Sequence, residues 1–264
     1  MKAIRAAILA YMLAGYGLAW GGLDEGLAAI DAGDYSTALR EFRSLAEEGD
    51  ASAQFNLGLI YYLGDGVPQN YQEAIKWYRK AAEQGVTDAQ ISLGYMYEVG
   101  LGVDQDEKQA VMWMRKAADQ GDAAAQFNLG LIYEDGRGVP QDYKQAVNWY
   151  RKAAEQGFAE AQYNLGVCYN NGHGITQDYK QAVRWYRKAA EQGHARAQHN
   201  LGASYVNGEG VLEDYVQAYK WFNIASTNGL EEGTLSRNLV AQYMTTSQIT
   251  DANNLSKEWI EKHQ

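Results

Sequence analysis

Cysteine is almost missing from this chain: among 264 residues only Cys168 occurs. A lone thiol cannot close an intramolecular disulfide or build a structural zinc cluster, so packing must hold the fold together. Histidine is scarce too, and His173, His194, His199 and His263 include no pair four residues apart, the spacing of a helical zinc site. Basic residues are outnumbered, 23 Lys and Arg against 33 Asp and Glu, and the formal net charge of -10 argues against a nucleic-acid binder, which must neutralise phosphates. No G-x-S-x-G nucleophile elbow, Ser-His-Asp set or carboxylate pair stands apart from the repetition that dominates the chain. Asp104 and Asp106 begin like a calcium loop, but the glycine and terminal glutamate of such a loop do not follow. No catalytic residue, metal or cofactor is therefore expected, and the acidic surface leaves protein or carbohydrate partners open.

What the chain has instead is repetition. The string WYRKAAEQG stands at Trp77 to Gly85, Trp149 to Gly157 and Trp185 to Gly193. Trp77, Trp113, Trp149, Trp185 and Trp221 share one spacing, as do Gly49, Gly85, Gly121, Gly157, Gly193 and Gly229. Five units in one register span residues 50–229, which points to stacked copies sharing a core between neighbours rather than to a single catalytic pocket.

The flanks read differently. Lys2 and Arg5 precede an uncharged, largely apolar stretch from Ala6 to Trp20, followed by Gly21 and Gly22. This layout predicts a secretory signal peptide over 1–22, cleaved near Gly21, with a retained anchor as the alternative. The stretch is shorter than the roughly 20 apolar residues of a spanning helix, so no membrane span is expected once the signal is removed. Residues 23–49 read as a divergent first hairpin, with Ala38, Ala46 and Gly49 in the repeat columns. Residues 230–264 read as capping helices broken near Thr245, with the polar outer face that a terminal repeat needs.

Each unit reads as two helices. From Tyr71 to Glu83 the apolar residues Tyr71, Ala74, Ile75, Trp77, Tyr78, Ala81 and Ala82 follow helical spacing, with Gln72, Glu73, Lys76, Arg79, Lys80 and Glu83 opposite. Asn70, Asp106, Asp142, Asp178 and Asp214 precede Glu73, Gln109, Gln145, Gln181 and Gln217 by three residues, a capping-box pattern, and a recurring glycine fits the helix end. The preceding segment, Ala51 to Leu63, is also helical by pattern. Gly58, Gly94, Gly130, Gly166 and Gly202 fall inside these first helices at about 1 kcal/mol each relative to Ala, which predicts close approach of the bulky partner helix. The G-x-G between the helices, as at Gly64 and Gly66, recurs five times with no strand before it, so it reads as a turn and not as a phosphate loop.

The string A-x-A-Q-x-x-L-G-x-x-Y, then G-x-G-V, then A-x-x-W-Y-x-K-A-A-x-x-G resembles the Sel-one-like repeat, a tetratricopeptide relative, over residues 50–229. Two departures, Glu107 in place of the usual Tyr and the fifth unit after Trp221, read as tolerated drift. The resemblance implies an all-α fold, a right-handed α-solenoid of antiparallel helix pairs whose first helices line a concave face. It also implies an exported bacterial scaffold for a protein or peptide partner, periplasmic or secreted, in envelope regulation, signalling or host contact. Oligomeric state stays open. The alternative it carries is a cell-wall or β-lactam-binding protein or weak hydrolase, but the relatives so associated staple each repeat with a cysteine pair.

On the implied face, Asn56, Ser92, Asn128, Asn164 and Asn200 form one column. An Asn offers donor and acceptor to an extended peptide backbone, and the same row equally suits bonds to the neighbouring repeat. Variable columns run Ser52, Asp88, Ala124, Glu160, Arg196; Phe55, Ile91, Phe127, Tyr163, His199; and Leu59, Tyr95, Leu131, Val167, Ala203. Their aromatic, apolar and sparsely charged mix suits protein recognition. The candidate contact residues are therefore Asn56, Asn128, Asn164, Asn200, Tyr95, Tyr163, Arg196 and His199. Cys168 shares the column of Ile60 and Met96 and reads as a small buried hydrophobe. Arg79, Arg115, Arg151 and Arg187 each precede an acidic residue by one turn and read as a solvated charge face.

Overall fold

A computed structural model describes residues 21–263; apart from Gly21 and Gly22, the segment expected as a signal peptide lies outside them. Among the described residues there are fourteen α-helices, one short 3-10 turn and no strand. In chain order they are α1 (Gly21–Asp31), α2 (Tyr35–Glu48), α3 (Ala51–Leu63), α4 (Tyr71–Glu83), α5 (Thr87–Val99), α6 (Glu107–Asp119), α7 (Ala123–Asp135), α8 (Tyr143–Glu155), α9 (Ala159–Asn171), α10 (Tyr179–Glu191), α11 (Ala195–Asn207), α12 (Tyr215–Thr227), α13 (Glu231–Val240) and α14 (Thr246–His263), with the 3-10 turn at Ala241–Tyr243. Successive helices pack as antiparallel pairs, the all-α solenoid architecture expected of the repeats. Contacts divide the chain into two compact units, Met1–Gln105 and Asp106–Gln264.

In the first unit, Phe42 of α2, Leu57 and Ile60 of α3 and Trp77 of α4 share one core. The second unit repeats the arrangement: Tyr150 of α8, Leu165 and Cys168 of α9 and Trp185 of α10 form one cluster, and Tyr186, Leu201 and Trp221 the next. The repeating Trp is thus the residue that each second helix inserts into the core begun by the preceding hairpin. Truncating a buried Trp costs about 3–5 kcal/mol, which outweighs the ~1 kcal/mol of each in-helix glycine.

Those glycines are required by sterics. A Cβ on Gly130 would lie 2.5 Å from the Tyr150 ring, and one on Gly166 2.6 Å from Tyr186. The partner across the gap is the Tyr after the Trp, with Phe222 taking its place against Gly202. Gly26 meets Phe42 in the same way in the α1–α2 hairpin.

The capping residues do half of what the box motif predicts. Asn70 accepts from the Glu73 amide at 3.1 Å, and Asp106, Asp142, Asp178 and Asp214 act alike. The return bond from the Glu or Gln side chain does not form among the described residues. The amide it would satisfy is already used: Asn70 N donates to Tyr61 O, Asp142 N to Tyr133 O and Asp178 N to Tyr169 O, each at 2.9 Å. These bonds tie each turn back to the first helix of its own pair.

Two sequence expectations change. The polar outer face predicted for the C-terminal segment holds for α14, where Asp251, Asn253, Asn254 and Lys257 are exposed. It fails for α13, whose Leu235 is 69 % and Leu239 58 % exposed, with Tyr243 just beyond at 67 %. These three positions continue the Phe55, Leu59 and Leu63 columns of the repeats, with an apolar residue in each. Glu107 is more than drift. Its Oε2 accepts from the Gly138 amide at 2.8 Å, fastening the α7–α8 turn to the start of α6.

Candidate functional site

First helices bury four constant columns and one variable one, that of Ile60, Met96, Ile132, Cys168 and Ser204. In α5, α7, α9 and α11, the alanine, glutamine, leucine and glycine columns are buried, as at Ala161, Gln162, Leu165 and Gly166. The three variable columns of those helices are exposed or half-buried throughout; Phe55 in α3 is the buried exception.

In the first unit, Tyr95 is 46 % exposed and lies near Tyr62, whose ring centroid is 5.6 Å from that of Tyr71. Burial, followed by the charges that Tyr95 and Tyr71 would carry if ionised, raises the Tyr62 pKa, so the Tyr62 hydroxyl stays neutral. Asn56 is half-buried and donates to the Ser52 carbonyl of its own helix at 2.9 Å.

In the second unit, Asn128, Asn164, Tyr163, Asn200 and His199 are half-buried and Arg196 is exposed. The Asn column proves partly architectural. The buried hydroxyls of Tyr150 and Tyr186 lie within hydrogen-bonding reach of Asn164 and Asn200, as Tyr78 does of Ser92 in the first unit. Met114 stands at the tyrosine position facing Asn128, so that amide is spared this role. Tyr163 stacks on His194 at 4.7 Å, and His199 Nε2 pairs with the Ser236 hydroxyl at 3.0 Å. The structure therefore groups His199 with α13 and Tyr163 with the α10–α11 turn rather than gathering all candidates into one cluster.

Buried titratable groups here are held neutral. Tyr150 donates to Glu134, and burial, then that bond, raises its pKa. Burial, with Glu134 adding its charge, pushes the Cys168 thiol up to about 12, which makes it an unreactive packing group at neutral pH. Among the described residues no cluster of three His, Cys, Asp or Glu is placed to hold a metal, and no helix is long and apolar enough to cross a membrane.

Three framework roles escaped the sequence reading. Gln162 Nε2 donates to Ala154 O at 3.1 Å while its Oε1 accepts from Gln192 at 2.8 Å, and Gln54 and Gln126 are used alike. Lys80, Lys116, Lys152 and Lys188 each lie over the Trp three residues before them, at 3.8–4.3 Å in the extremes. The Arg row is not paired with acids one turn on, as expected. Arg79 donates to the Tyr97 hydroxyl at 2.6 Å and Arg187 to Tyr205 at 2.9 Å, while Arg115 reaches Tyr133 in the same way.

The units that carry this bonding pattern coincide with matches to the Sel1 repeat model at residues 51–86, 87–122, 123–158, 159–194 and 195–230. The chain belongs to the Sel1 repeat family. Sel1 repeat proteins are in general non-catalytic protein-interaction scaffolds. Among solved structures, a protective antigen of uropathogenic Escherichia coli strains displaying an SLR fold is 44% identical, with a TM-score of 0.77 over 87% of this chain and 50% of that one. This chain therefore spans half the length of that protein. A Sel1 repeat protein from Oxalobacter formigenes is 32% identical, with a TM-score of 0.79 over 90% of this chain and 96% of that one. No curated protein matches.

Proposed function

We propose that this Sel1 repeat chain is an exported, non-catalytic scaffold that holds a peptide segment or a folded protein against its first-helix face, in the bacterial periplasm or outside the cell. One observation carries the reading: the alanine, glutamine, leucine and glycine columns are buried and the glutamines are locked by hydrogen bonds, whereas Tyr95, Tyr163, Arg196 and His199 are exposed or half-buried in columns that vary between units. Within each unit these columns present aromatic rings and single charges, a composition that favours protein recognition. Asn56, Asn128, Asn164 and Asn200 would add backbone-directed hydrogen bonds. Export is supported by the Lys2 to Trp20 segment and by the likeness to a protective antigen.

The test is capture from bacterial envelope extracts by the purified chain, identified by mass spectrometry. Tyr95→Ala combined with Asn128→Ala is expected to lower recovery of the specific partner at least five-fold with helicity and melting temperature unchanged. Equal recovery would remove the first-helix face from binding. Fusion of residues 1–22 to alkaline phosphatase is expected to give activity outside the cytoplasm, and an inactive fusion would contradict export.

A further inference from the structure

Between α11, α12 and α13 the second unit contains a cavity of about 500 Å³ open to the surface. Ala203 and Val206 of α11, Phe222 of α12, and Leu239, Val240 and Tyr243 at the α13 end wall it with apolar surface. His199 and Ser236, bonded to each other, supply a polar spot in this lining. The space exists because small residues and a short helix coincide. Ala203 occupies the column of Leu59, Tyr95, Leu131 and Val167, and α13 has 10 residues where each first helix of the repeats has 13.

The surroundings of the cavity are acidic. Glu209 accepts from Asn207, a lining residue, at 3.4 Å, and Glu213 acts on Tyr215, another lining residue, raising its pKa. Glu231 and Glu232 are exposed one turn before Leu235 and Ser236, on the same helix face. Four carboxylates thus outnumber the two arginines of these elements: Arg237 is bonded to Asn223 at 2.8 Å and to Asn238, and Arg196 is exposed one turn before His199 and Asn200 on α11.

We propose that this cavity is a second docking site, which takes one large apolar side chain from a basic segment of a partner protein, with flanking Lys or Arg residues set against Glu213, Glu231 and Glu232. Leu235, Leu239 and Tyr243, exposed in one stripe, cover the apolar face of that segment. Charge selects the partner: a second copy of this acidic chain would bring carboxylates against carboxylates, whereas a basic segment meets complementary potential. The inference rests on the scaffold reading and shares His199 with it, but its test leaves Tyr95 and Asn128 untouched, so failure here leaves capture through those two residues intact.

The test uses the full chain and two fluorescein-labelled twelve-residue probes, one of alternating Lys and Leu turns with a central Trp, the other with Glu in place of every Lys. Fluorescence anisotropy is expected to give saturable binding of the Lys probe only. Ala203→Trp, which fills the cavity without changing charge, is expected to weaken binding at least ten-fold, and Leu239→Asn, at an exposed position, at least three-fold if Ala203→Trp does not fold. Glu213→Gln with Glu231→Gln and Glu232→Gln should weaken it at least three-fold. Binding indifferent to the cavity substitutions, or equal for the Glu probe, overturns the proposal. So does sedimentation showing a dimer that Ala203→Trp dissociates, which would make the occupant a second copy.

Discussion

Gln162 bonds two partners from different helix pairs. Its amide nitrogen donates to the Ala154 carbonyl at the end of α8, its oxygen accepts a hydrogen bond from the Gln192 side-chain amide past the end of α10, and its side chain is almost wholly buried. Gln162→Ala should therefore cost about 1 kcal/mol, since it removes both bonds of a buried side chain while the Ala154 carbonyl keeps the Gly157 amide at 3.1 Å and Gln192 keeps the Lys188 carbonyl at 3.4 Å. Urea unfolding checks this, and a loss below about 0.5 kcal/mol would mean that water or repacking replaces the side chain. Asn164 and Asn128 separate along the same line. Asn164→Ala removes a partner from the buried Tyr150 hydroxyl and should lower stability by about 1 kcal/mol, whereas Asn128→Ala, opposite Met114, should leave the melting temperature nearly unchanged. The alanine, leucine and glycine columns were legible from spacing because burial of apolar and small residues follows helical period. The glutamine bridge was not, because its second partner lies 30 residues away and a lone polar residue on an apolar stripe does not name its partner. The same holds for the Arg to Tyr bonds, which span 18 residues and cross between pairs, while the acid one turn away offered a more obvious local partner.

At the scale of the element, helix starts divide into those sealed by carboxylates and those that are not. Asp50 and Asp122 cap α3 and α7, whereas Val86 and Phe158 stand at the same column of α5 and α9 without a side-chain bond. At α11 the column is filled by His194, whose Nδ1 accepts from the Ala197 amide at 3.1 Å. That bond requires an unprotonated Nδ1, and a positive ring would also oppose the positive end of the helix. Burial, the largest influence, lowers the His194 pKa; Glu160 pulls it up, Arg196 pushes it down, and Tyr163 covers one ring face. Because the folded pKa lies below the unfolded value of about 6.5, the unfolded chain binds more protons as acid is added. The stability contributed is complete above that value and is lost as pH falls through it toward the folded pKa. Between pH 7.5 and 5.5 the native chain should lose more melting temperature than His194→Asn, which caps without titrating at a level of about 1 kcal/mol. Equal slopes in differential scanning calorimetry would show that the ring does not control this helix start. Sequence reading located the capping boxes of the second helices but passed over this one, since histidine is not among the usual capping residues.

For the whole chain, a fixed spacing of identical interface partners makes repeats removable. Excising residues 159–194 joins Phe158 to Ala195, and each partner lost has a counterpart one unit later. Gln198 replaces Gln162 beneath Ala154, Asn200 replaces Asn164 beside Tyr150, and Trp221 replaces Trp185 over the Tyr150 core. Stability in such arrays is close to a sum of unit and neighbour terms. The shortened chain should keep its far-ultraviolet circular dichroism per residue and unfold with an m-value smaller by about one seventh, in proportion to the surface no longer exposed. Deleting one residue fewer turns every following helix by about 100° and aims the Gln, Gly and Trp columns away from their partners. That off-register chain should be largely unfolded. If both deletions fold equally well, register between neighbouring pairs does not hold the array together. If neither folds, stability is not shared out repeat by repeat, and the terminal helices must hold the array through contacts that the repeat spacing does not encode.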